Sequence, residues 1–495
     1  MAQMLIGHDE VAVVSGRTIE VINPATEEVV DTVPDAGPED VEAAVAAAQR
    51  AVGAWAHTDP DERARLMRAG IARVREHQQE IADILVREQG KPTAEALGEV
   101  HHFLHGMEFY ADLASKIRGA YAPLPSTLGP SLGMVIKRPV GVVAAIVPYN
   151  FPLTLMGTKV GPALAAGNTV IVKPAASTPL STLRVAQLLN EAGLPAGVLN
   201  VITGAGSVAG EALVTHPAVR RVAFTGGSAT GRRIIELAGP QFKRLTLELG
   251  GSDPSIVCPD ANLDEAAKGI NIGRFFNAGQ ACLAAKRVYV FDEVYDDFMG
   301  RLVERVSRYE PGEGWIKAQK PKIRMGPLHT AALRDTIQGQ LQDALDRGAR
   351  VVYGGGIPAG RERGYFFTPT VIENAPHDSR VVREEVFGPL LPVFRVKTLS
   401  EAIRLANDSI YGLGSSIWTY NIKWINRAAQ ELEAGMTWVN QLHYGYDELP
   451  FGGVKASGQG REHGPEAMEY YLEPKSVVIG DLAIPDDDTE DSTQQ

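Results

Sequence analysis

The stretch Phe275-Phe276-Asn277-Ala278-Gly279-Gln280-Ala281-Cys282 holds one of only two cysteines in 495 residues. The other, Cys258, ends the apolar run Ser255-Ile256-Val257, which reads as a strand end, where a cysteine is a small inert hydrophobe. Cys282 has a different setting: it follows Gly279-Gln280 and precedes the basic pair Lys286-Arg287. A thiol becomes a nucleophile where the fold stabilises its thiolate, for example beside cations or at a helix N-terminus. Cys282 is therefore the candidate nucleophile; taken alone, a core cysteine beside a turn is the plainer reading.

Other polar residues stand where polar groups need a reason. Asn150, in Pro148-Tyr149-Asn150-Phe151-Pro152, lies in an irregular segment after an apolar strand, and its amide can donate to a developing oxyanion. Glu248 is flanked by Leu247 and Leu249, so its carboxyl is expected to be buried, raised in pKa and suited to general-base work. Glu385, in Glu384-Glu385-Val386-Phe387-Gly388-Pro389, is less telling. Lys173 ends the run Val170-Ile171-Val172, where a parallel strand would aim it into a ligand crevice. Phe224-Thr225-Gly226-Gly227 ends a strand and opens a helix, a place where backbone N–H groups favour a phosphate. Gly204-Ala205-Gly206-Ser207-Val208-Ala209-Gly210 has one residue too many for the dinucleotide fingerprint. Each has a plain alternative: a turn-capping Asn, a strand-edge Glu, a surface acidic pair, a solvated Lys.

The elements that must position these groups alternate. Val142-Val143-Ala144-Ala145-Ile146-Val147, Thr169-Val170-Ile171-Val172, Val198-Leu199-Asn200-Val201-Ile202 and Val222-Ala223-Phe224 are continuous apolar runs, the mark of strands covered on both faces. Helical patterns lie between them, at Leu180 to Ala192 and Gly206 to Thr215, so βαβ units and a parallel sheet are expected. The second half continues the alternation: a helix to Phe276, a strand at Arg287 to Phe291, helices at Val294 to Ser307 and Ala331 to Arg347, and a strand at Arg350 to Tyr353. Before the first sheet, two short strands meet at Asn23-Pro24-Ala25-Thr26, and helices run from Asp61 to about Lys116 with a break at Gly90-Lys91-Pro92. His101, His102 and His105 lie in that region. An i, i+4 pair can hold a metal, but no carboxylate or cysteine completes a ligand set, so an exposed helix face and no metal site are expected.

The order and spacing of these motifs resemble the aldehyde dehydrogenase superfamily from about residue 20 to 480. Pro148-Tyr149-Asn150-Phe151-Pro152 looks like its oxyanion segment, Lys173-Pro174 its ribose-binding segment and Phe224-Thr225-Gly226 its phosphate turn. Leu247-Glu248-Leu249-Gly250-Gly251 is similar to the general-base motif and Phe276 to Cys282 to the nucleophile motif. Glu385-Val386-Phe387-Gly388-Pro389 resembles the segment that holds the nicotinamide ribose, and Pro450 to Gly458 the late signature. The chain departs from the pattern at Tyr149, where Trp is more usual, at Ala176 (often Glu in NAD-preferring members), at Ser252 (often Lys) and at Gly227 (often Ser).

The resemblance implies an α/β protein in three parts: a Rossmann-like dinucleotide domain (1–117 and 140–250), an α/β catalytic domain (251–450) and a small bridging β-element for oligomerisation (118–139 and 466–484). It implies an aldehyde oxidised to a carboxylic acid through a thiohemiacetal and a thioester on Cys282, with Asn150 at the oxyanion and Glu248 activating water. Relatives that pass the acyl group to coenzyme A lack that glutamate. Lys159 and Glu462 match positions linked in some relatives to proton relay. The implied cofactor site comprises Ile146, Val147, Pro148, Tyr149, Lys173, Ala176, Gly206, Phe224, Thr225, Gly226, Gly227, Leu249, Gly250, Glu385 and Phe387. Without a glutamate at Ala176, NADP is expected to be accepted at least as well as NAD, with Ser177 or Thr178 as donors to its phosphate. Tyr149, Leu153, Met156, Thr158, Ala281, His443 and Tyr444 are expected along the substrate tunnel, and a homodimer or homotetramer is expected.

Composition bounds the rest. A net charge of −12 and a pI near 5.5 argue against nucleic acid or an anionic membrane as the main partner. Two cysteines make no disulfide framework, and the N-terminus lacks the basic region of a signal peptide, so a reducing, cytoplasmic setting is expected. No apolar run approaches the ~18 residues of a membrane span. The polar acidic stretch 485–495 has nothing to bury and is expected to be disordered. Two other classes compete: the same fold kept as a binding or structural protein, against which the intact Cys, Glu and Asn set argues, and a cofactor-free cysteine hydrolase, for which none of the eleven histidines lies in a matching motif.

Overall fold

The expected apolar runs pair side by side as the central strands of an eight-stranded sheet. Leu199–Val201, Thr169–Lys173, Val142–Ile146, Val219–Thr225 and Arg244–Glu248 lie next to one another in that order, all parallel. Numbered along the chain, this is the order 3-2-1-4-5 of a doubly wound sheet, whose switch point flanks the first strand and is where such sheets bind ligands. Every side chain of Val142–Ile146 and of Thr169–Lys173 is buried, as helices on both faces require. Two edges close the sheet. Met4–Ile6 and Asp9–Val11, which the sequence reading did not find, add antiparallel strands at one side. At the other, Gly458–Gln459 of the late signature pairs with Leu247 and Glu248.

A second, seven-stranded sheet runs in the order Arg350–Tyr353, Thr370–Glu373, Leu390–Val396, Ala285–Phe291, Asp253–Val257, Gly414–Trp418, Met436–Val439. All its pairings are parallel except the first. Only Leu249 to Ser252 separate the last residue of Arg244–Glu248 from the start of Asp253–Val257. The carboxyl ends of the first sheet's strands therefore meet the amino ends of the second's. Each sheet has its own apolar core.

Helix packing fixes the segment after Asn150. The Thr93–Leu113 helix buries Ala96, Val100, Phe103, Leu104, Met107, Tyr110 and Ala111, a stripe at helical spacing, and packs along the Pro152–Ala165 helix. Pro152 sits in the first turn of the latter, where its missing N–H costs nothing. The Gly206–Thr215 region starts as a π turn, Gly206–Gly210, before the short helix Glu211–Thr215. This wider turn absorbs the residue by which the glycine pattern exceeded the fingerprint.

A three-stranded sheet of Ala120–Pro123, Leu132–Pro139 and Leu472–Ile479 stands apart from the other two. The computed structural model describes residues 1–125 and 131–480, so the acidic tail lies outside the described residues, as does the middle of the 118–139 excursion. No helix among the described residues is long and apolar enough to cross a membrane.

Candidate active site

Asn150 is held from both ends. The break at Gly90-Lys91-Pro92 turns the chain so that Lys91 is buried; its ammonium pairs with Glu99, donates to the Asn150 carbonyl at 2.8 Å and lies 4.2 Å from the Phe151 ring centroid. The second Glu99 oxygen accepts from the Leu153 N–H at 2.8 Å. Asn277 Nδ2 also donates to the Asn150 carbonyl, at 3.0 Å, while Asn150 Nδ2 donates to the Gln280 carbonyl at 3.1 Å. The candidate oxyanion donor and the candidate nucleophile's loop are thus bonded to each other directly. Nothing in the sequence reading had singled out Lys91 or Glu99.

The nucleophile loop is strained. After the Leu263–Phe275 helix, Asn277, Ala278 and Gly279 all have positive φ, at 50°, 53° and 75°. Asparagine and glycine accept this region, but alanine there costs about 1 kcal/mol or more. A network holds the loop. The Asn277 N–H donates to Glu95 Oε2 at 2.9 Å, Gln280 Nε2 donates to the Asn277 carbonyl at 3.0 Å, and Gln280 Oε1 accepts from the His329 N–H at 2.9 Å. The buried Arg274 guanidinium donates to the carbonyls of Gly279, Val386 and Gly388. A side chain at Gly279 would overlap the Gly388 carbonyl. Strain concentrated on one loop and balanced by its surroundings is a mark of a functional segment.

Burial pushes the Cys282 thiol up to about 12; the Lys286 ammonium opposes this, and the charges of Glu385, Asp253 and Glu248 add to it. The expectation of a thiolate stabilised by its basic neighbours is met only in part: Lys286 acts in that direction, but burial outweighs it and favours the protonated thiol. Arg287 faces away and donates to the carbonyls of Ser252, Leu405 and Ala406. Cys258 is fully buried and its thiol is likewise pushed up to about 12, as expected of an inert position.

Glu248 ends its strand opposite Thr225 and Gly458. It is 3% exposed, and neither carboxylate oxygen has a hydrogen-bond partner among the described residues. Burial, and then the charge of Glu462, hold its pKa well above the carboxylate range, against Lys159 and Arg461. Lys159 Nζ pairs with Glu462 Oε1 at 2.8 Å and donates to Thr225 Oγ1 at 2.7 Å, while Thr158 Oγ1 donates to Glu462 Oε2 at 2.7 Å. Four buried polar side chains thus form a continuous line beside Glu248.

The residues expected at the cofactor fall in two groups. Ile146, Val147, Pro148, Lys173, Ala176, Gly206, Phe224, Thr225, Gly226 and Gly227 lie at or just beyond the carboxyl ends of the first sheet's strands. A Cβ built on Gly206 or Gly227 meets no atom within 4 Å, so the backbone at both turns faces open space, and Gly227 caps the Ser228–Ala238 helix. Lys173 is buried, donates among the described residues only to the Pro174 carbonyl at 3.0 Å, and is lowered to about 8 by burial. A buried ammonium with spare donors beside open glycine turns fits a polyanionic dinucleotide. The second group is Tyr149, Leu249, Gly250, Glu385 and Phe387. Tyr149 stacks on His329 at 4.4 Å and meets Phe387 edge-on at 6.2 Å. Glu385 Oε1 accepts from the Gly251 N–H at 3.0 Å, and its other oxygen leaves no space for a side chain on Gly250. The surface acidic pair is therefore split: Glu384 pairs with Arg380, and Glu385 turns inward. Ser177 Oγ is bonded to His329 Nε2 at 2.7 Å, while Thr178 is fully buried and its hydroxyl has no hydrogen-bond partner among the described residues.

The residues expected along the substrate tunnel fall in different surroundings. Leu153 and Met156 are fully buried in the core that packs the first sheet, because about 100° of rotation per residue turns them from the face that carries Thr154, Leu155 and Thr158. Ala281 is buried beside Cys282. His443 is also buried: it stacks on Trp438 at 4.7 Å and bonds the Leu283 carbonyl at 2.9 Å, one residue past the nucleophile. Tyr444 is partly exposed, and its hydroxyl bonds His102. His105 Nδ1 bonds Asp447 Oδ2 at 2.6 Å, and His463 Nδ1 bonds Asp447 Oδ1 at 2.7 Å. His102 and His105 are thus a clasp on the 442–447 loop rather than a free helix face. The clue was their i, i+3 spacing on one helix; the partners are some 340 residues away in sequence, out of reach of local pattern.

Comparison with known proteins agrees with this architecture. The model of the aldehyde dehydrogenase family matches residues 12–477. A succinate-semialdehyde dehydrogenase (NADP(+)) of Escherichia coli is 40% identical over 478 residues, 97% of this chain and 98% of that protein. A glutarate-semialdehyde dehydrogenase of Pseudomonas putida is 40% identical over 466 residues, 94% of this chain and 95% of that protein. Among solved structures, an NADP-dependent enzyme of E. coli superposes with a TM-score of 0.94 at 39% identity, covering 97% of this chain and 98% of that one. A betaine aldehyde dehydrogenase of Staphylococcus aureus in complex with NAD+ gives 0.92 at 35%, covering 97% and 94%. The chain belongs to the aldehyde dehydrogenase family, and its reaction is the NAD(P)+-dependent oxidation of an aldehyde to a carboxylic acid.

Proposed function

We propose that Cys282, Asn150 and Glu248 carry out this oxidation hydrolytically and that NADP+ is accepted. The observation that carries the reading is the Asn150 amide bonded to the loop of Cys282, beside a buried Glu248 whose oxygens have no partner among the described residues. The Cys282 thiol passes its proton to ionised Glu248 as the sulfur bonds to the aldehyde carbon, and Glu248 returns to its carboxylate before deacylation. The resulting oxyanion is held by Asn150 Nδ2 and the Cys282 N–H, with the Asn150 backbone fixed before reaction by the Lys91 and Asn277 bonds. When bound, the nicotinamide supplies the hydride acceptor; Lys173, the Phe224 to Gly227 turn and Glu385 would hold the dinucleotide. Loss of the hydride leaves a thioester on Cys282. Glu248 takes a proton from water as the water oxygen attacks the thioester carbonyl, the C–S bond breaks, and the acid departs. Lys159, Glu462 and Thr158 form a buried bonded line beside Glu248, without a hydrogen bond to its carboxylate.

NADP+ acceptance is supported by Ala176, which places no carboxylate at the 2′ position, and by relatives whose names include NADP. We read the domains as 1–117 with 140–250, 251–450, and 118–139 with 466–484, a division supported by the eight-, seven- and three-stranded sheets, with Gly458–Gln459 reaching back into the first. Exposed Tyr121, Ile136, Val478 and Ile479 on the small sheet favour a homodimer or homotetramer built there. A cytoplasmic setting is part of the same reading.

The test is Cys282→Ser. It is expected to lose about 10³-fold or more in turnover while still binding NADPH by fluorescence. Near-normal turnover overturns the assignment. A screen of both cofactors with a semialdehyde, an aromatic aldehyde and betaine aldehyde identifies the substrate class.

A further inference from the structure

Lys286 opens the strand Ala285–Phe291, four residues beyond the nucleophile, and its side chain is 0% exposed. Its ammonium makes two bonds of different kinds. It donates to the carbonyl oxygen of Cys282 at 2.6 Å and to Glu385 Oε1 at 3.0 Å, and it lies 5.8 Å from the centre of the Phe387 ring. The same Glu385 oxygen accepts from the Gly251 N–H. A buried ammonium is costly unless it is paired and hydrogen-bonded, and burying this one at the nucleophile asks for a reason.

We propose that Lys286 is a positioning residue of the reaction, joining the peptide of Cys282 to the carboxylate of Glu385 on one buried ammonium and supplying the positive charge beside the sulfur. The inference rests on reading Cys282 as the nucleophile. The charged groups that act on the sulfur are Glu385, Asp253 and Glu248, all acidic, and Lys286 is the cation set against them. His443 Nδ1, 3.4 Å from Asp253, faces the same region from the 442–447 loop. A thiolate beside the charges of Glu385 and Asp253 is harder to form near neutral pH without a nearby cation, and Lys286 is a cation held on the adjoining strand. Through the Cys282 carbonyl, Lys286 also anchors the Cys282–Leu283 peptide, on the other side of the Cys282 Cα from the N–H proposed to hold the oxyanion. Through Glu385, it sets the resting position of a residue expected to meet the nicotinamide ribose. Arg287 cannot substitute, since its guanidinium is spent on three carbonyls on the other side of the strand.

The test is the pH dependence of Cys282 alkylation by iodoacetamide in the full-length protein, followed on the Cys282 peptide by mass spectrometry, with buried Cys258 as the internal control. Lys286→Met removes the charge and both bonds. Lys286→Gln keeps a donor of similar reach without the charge, and decides the matter if the Met variant fails to fold. Both are expected to move the alkylation midpoint upward by about one pH unit or more, a roughly tenfold slower reaction at pH 8. Lys286→Arg is expected to keep the midpoint near the wild-type position. Glu385→Gln is expected to move it down, since one opposing charge is gone. An unmoved midpoint in a folded Lys286→Gln, or a shift in the same direction for Lys286→Gln and Glu385→Gln, overturns the proposal even if turnover falls. Because alkylation needs no turnover, a failure here is distinct from a failure of the nucleophile assignment, which Cys282→Ser reads.

Discussion

Gly452 faces Glu248 across the join of the first sheet with the late signature: a Cβ on Gly452 would stand 2.6 Å from Glu248 Oε1. The antiparallel bridge between Phe451 and Glu462, with N–H···O distances of 2.7 and 2.8 Å, sets this approach. The same bridge brings Glu462 to Lys159 and Thr158. The room around the carboxylate is therefore defined by a residue more than 200 positions away. Gly452→Ala is expected to displace the Glu248 side chain, lowering kcat about tenfold or more and stability by about 1–3 kcal/mol. Steady-state kinetics with thermal unfolding checks this; an unchanged kcat would mean that Glu248 does not need its present position.

Glu248→Gln keeps the shape and removes the base. It is expected to release about one equivalent of NAD(P)H per site and then stall as the thioester, seen as a burst in stopped-flow absorbance and as an acyl adduct by mass. In the wild type, the carboxyl is raised mainly by burial, so the fraction ionised grows as pH rises above the ordinary value. Deacylation should accelerate with pH over that range, and the dependence should vanish in the Gln variant. A wild-type steady rate without a burst in Glu248→Gln would assign the base elsewhere.

Ala176→Glu tests cofactor choice. At about 4–5 Å and an effective dielectric near 20, two unit like charges oppose each other by roughly 3–4 kcal/mol. The new carboxylate should therefore shift the kcat/KM ratio toward NAD by about tenfold or more. The carboxylate already acting on Lys173 is Asp35, which accepts from the Ala205 N–H at 3.0 Å and lies 3.8 Å from Arg17. If the ratio does not move, Asp35 is the next residue to change.

Asp447 gives a prediction with a definite pH window. Burial works against its charge, but His463 and His105 outweigh it and hold the carboxyl below its ordinary value. The Asp447 bond in turn raises His105. For the depressed acid, the stabilisation is present above its unfolded value of about 3.9 and is lost as pH falls through the folded one; for the raised imidazole, it is present below about 6.5 and is lost as pH rises through the folded one. The pairing therefore contributes most between about pH 4 and 6.5. Asp447→Asn is expected to cost about 1–2 kcal/mol there and less at either side, read as the Tm difference from wild type across pH. It should also raise KM for the aldehyde more than it lowers kcat, because the loop carrying Tyr444 loses its anchor. A Tm difference independent of pH would contradict the ionic clasp.

The residues of the chemistry were legible in the chain because they sit in local patterns. The apolar runs at Val142, Thr169 and Val222 read as buried strands; a parallel sheet aligns its carboxyl ends, so the strands ending at Lys173, Thr225 and Glu248 deliver those residues to one edge. The leucines beside Glu248 announced its burial, and the family resemblance gave Cys282 and Asn150 their expected roles. Local pattern failed wherever a side chain's neighbour comes from far along the chain. Leu153 and Met156 went to the core because the neighbouring Thr93–Leu113 helix, not the Pro152–Ala165 helix itself, decides which face is inside. His102 and His105 found Tyr444 and Asp447, and Lys286 found Glu385, only when separate elements packed together. The protonation of Cys282 was decided the same way, since desolvation depends on everything that surrounds a sulfur and not on the basic residues beside it in sequence.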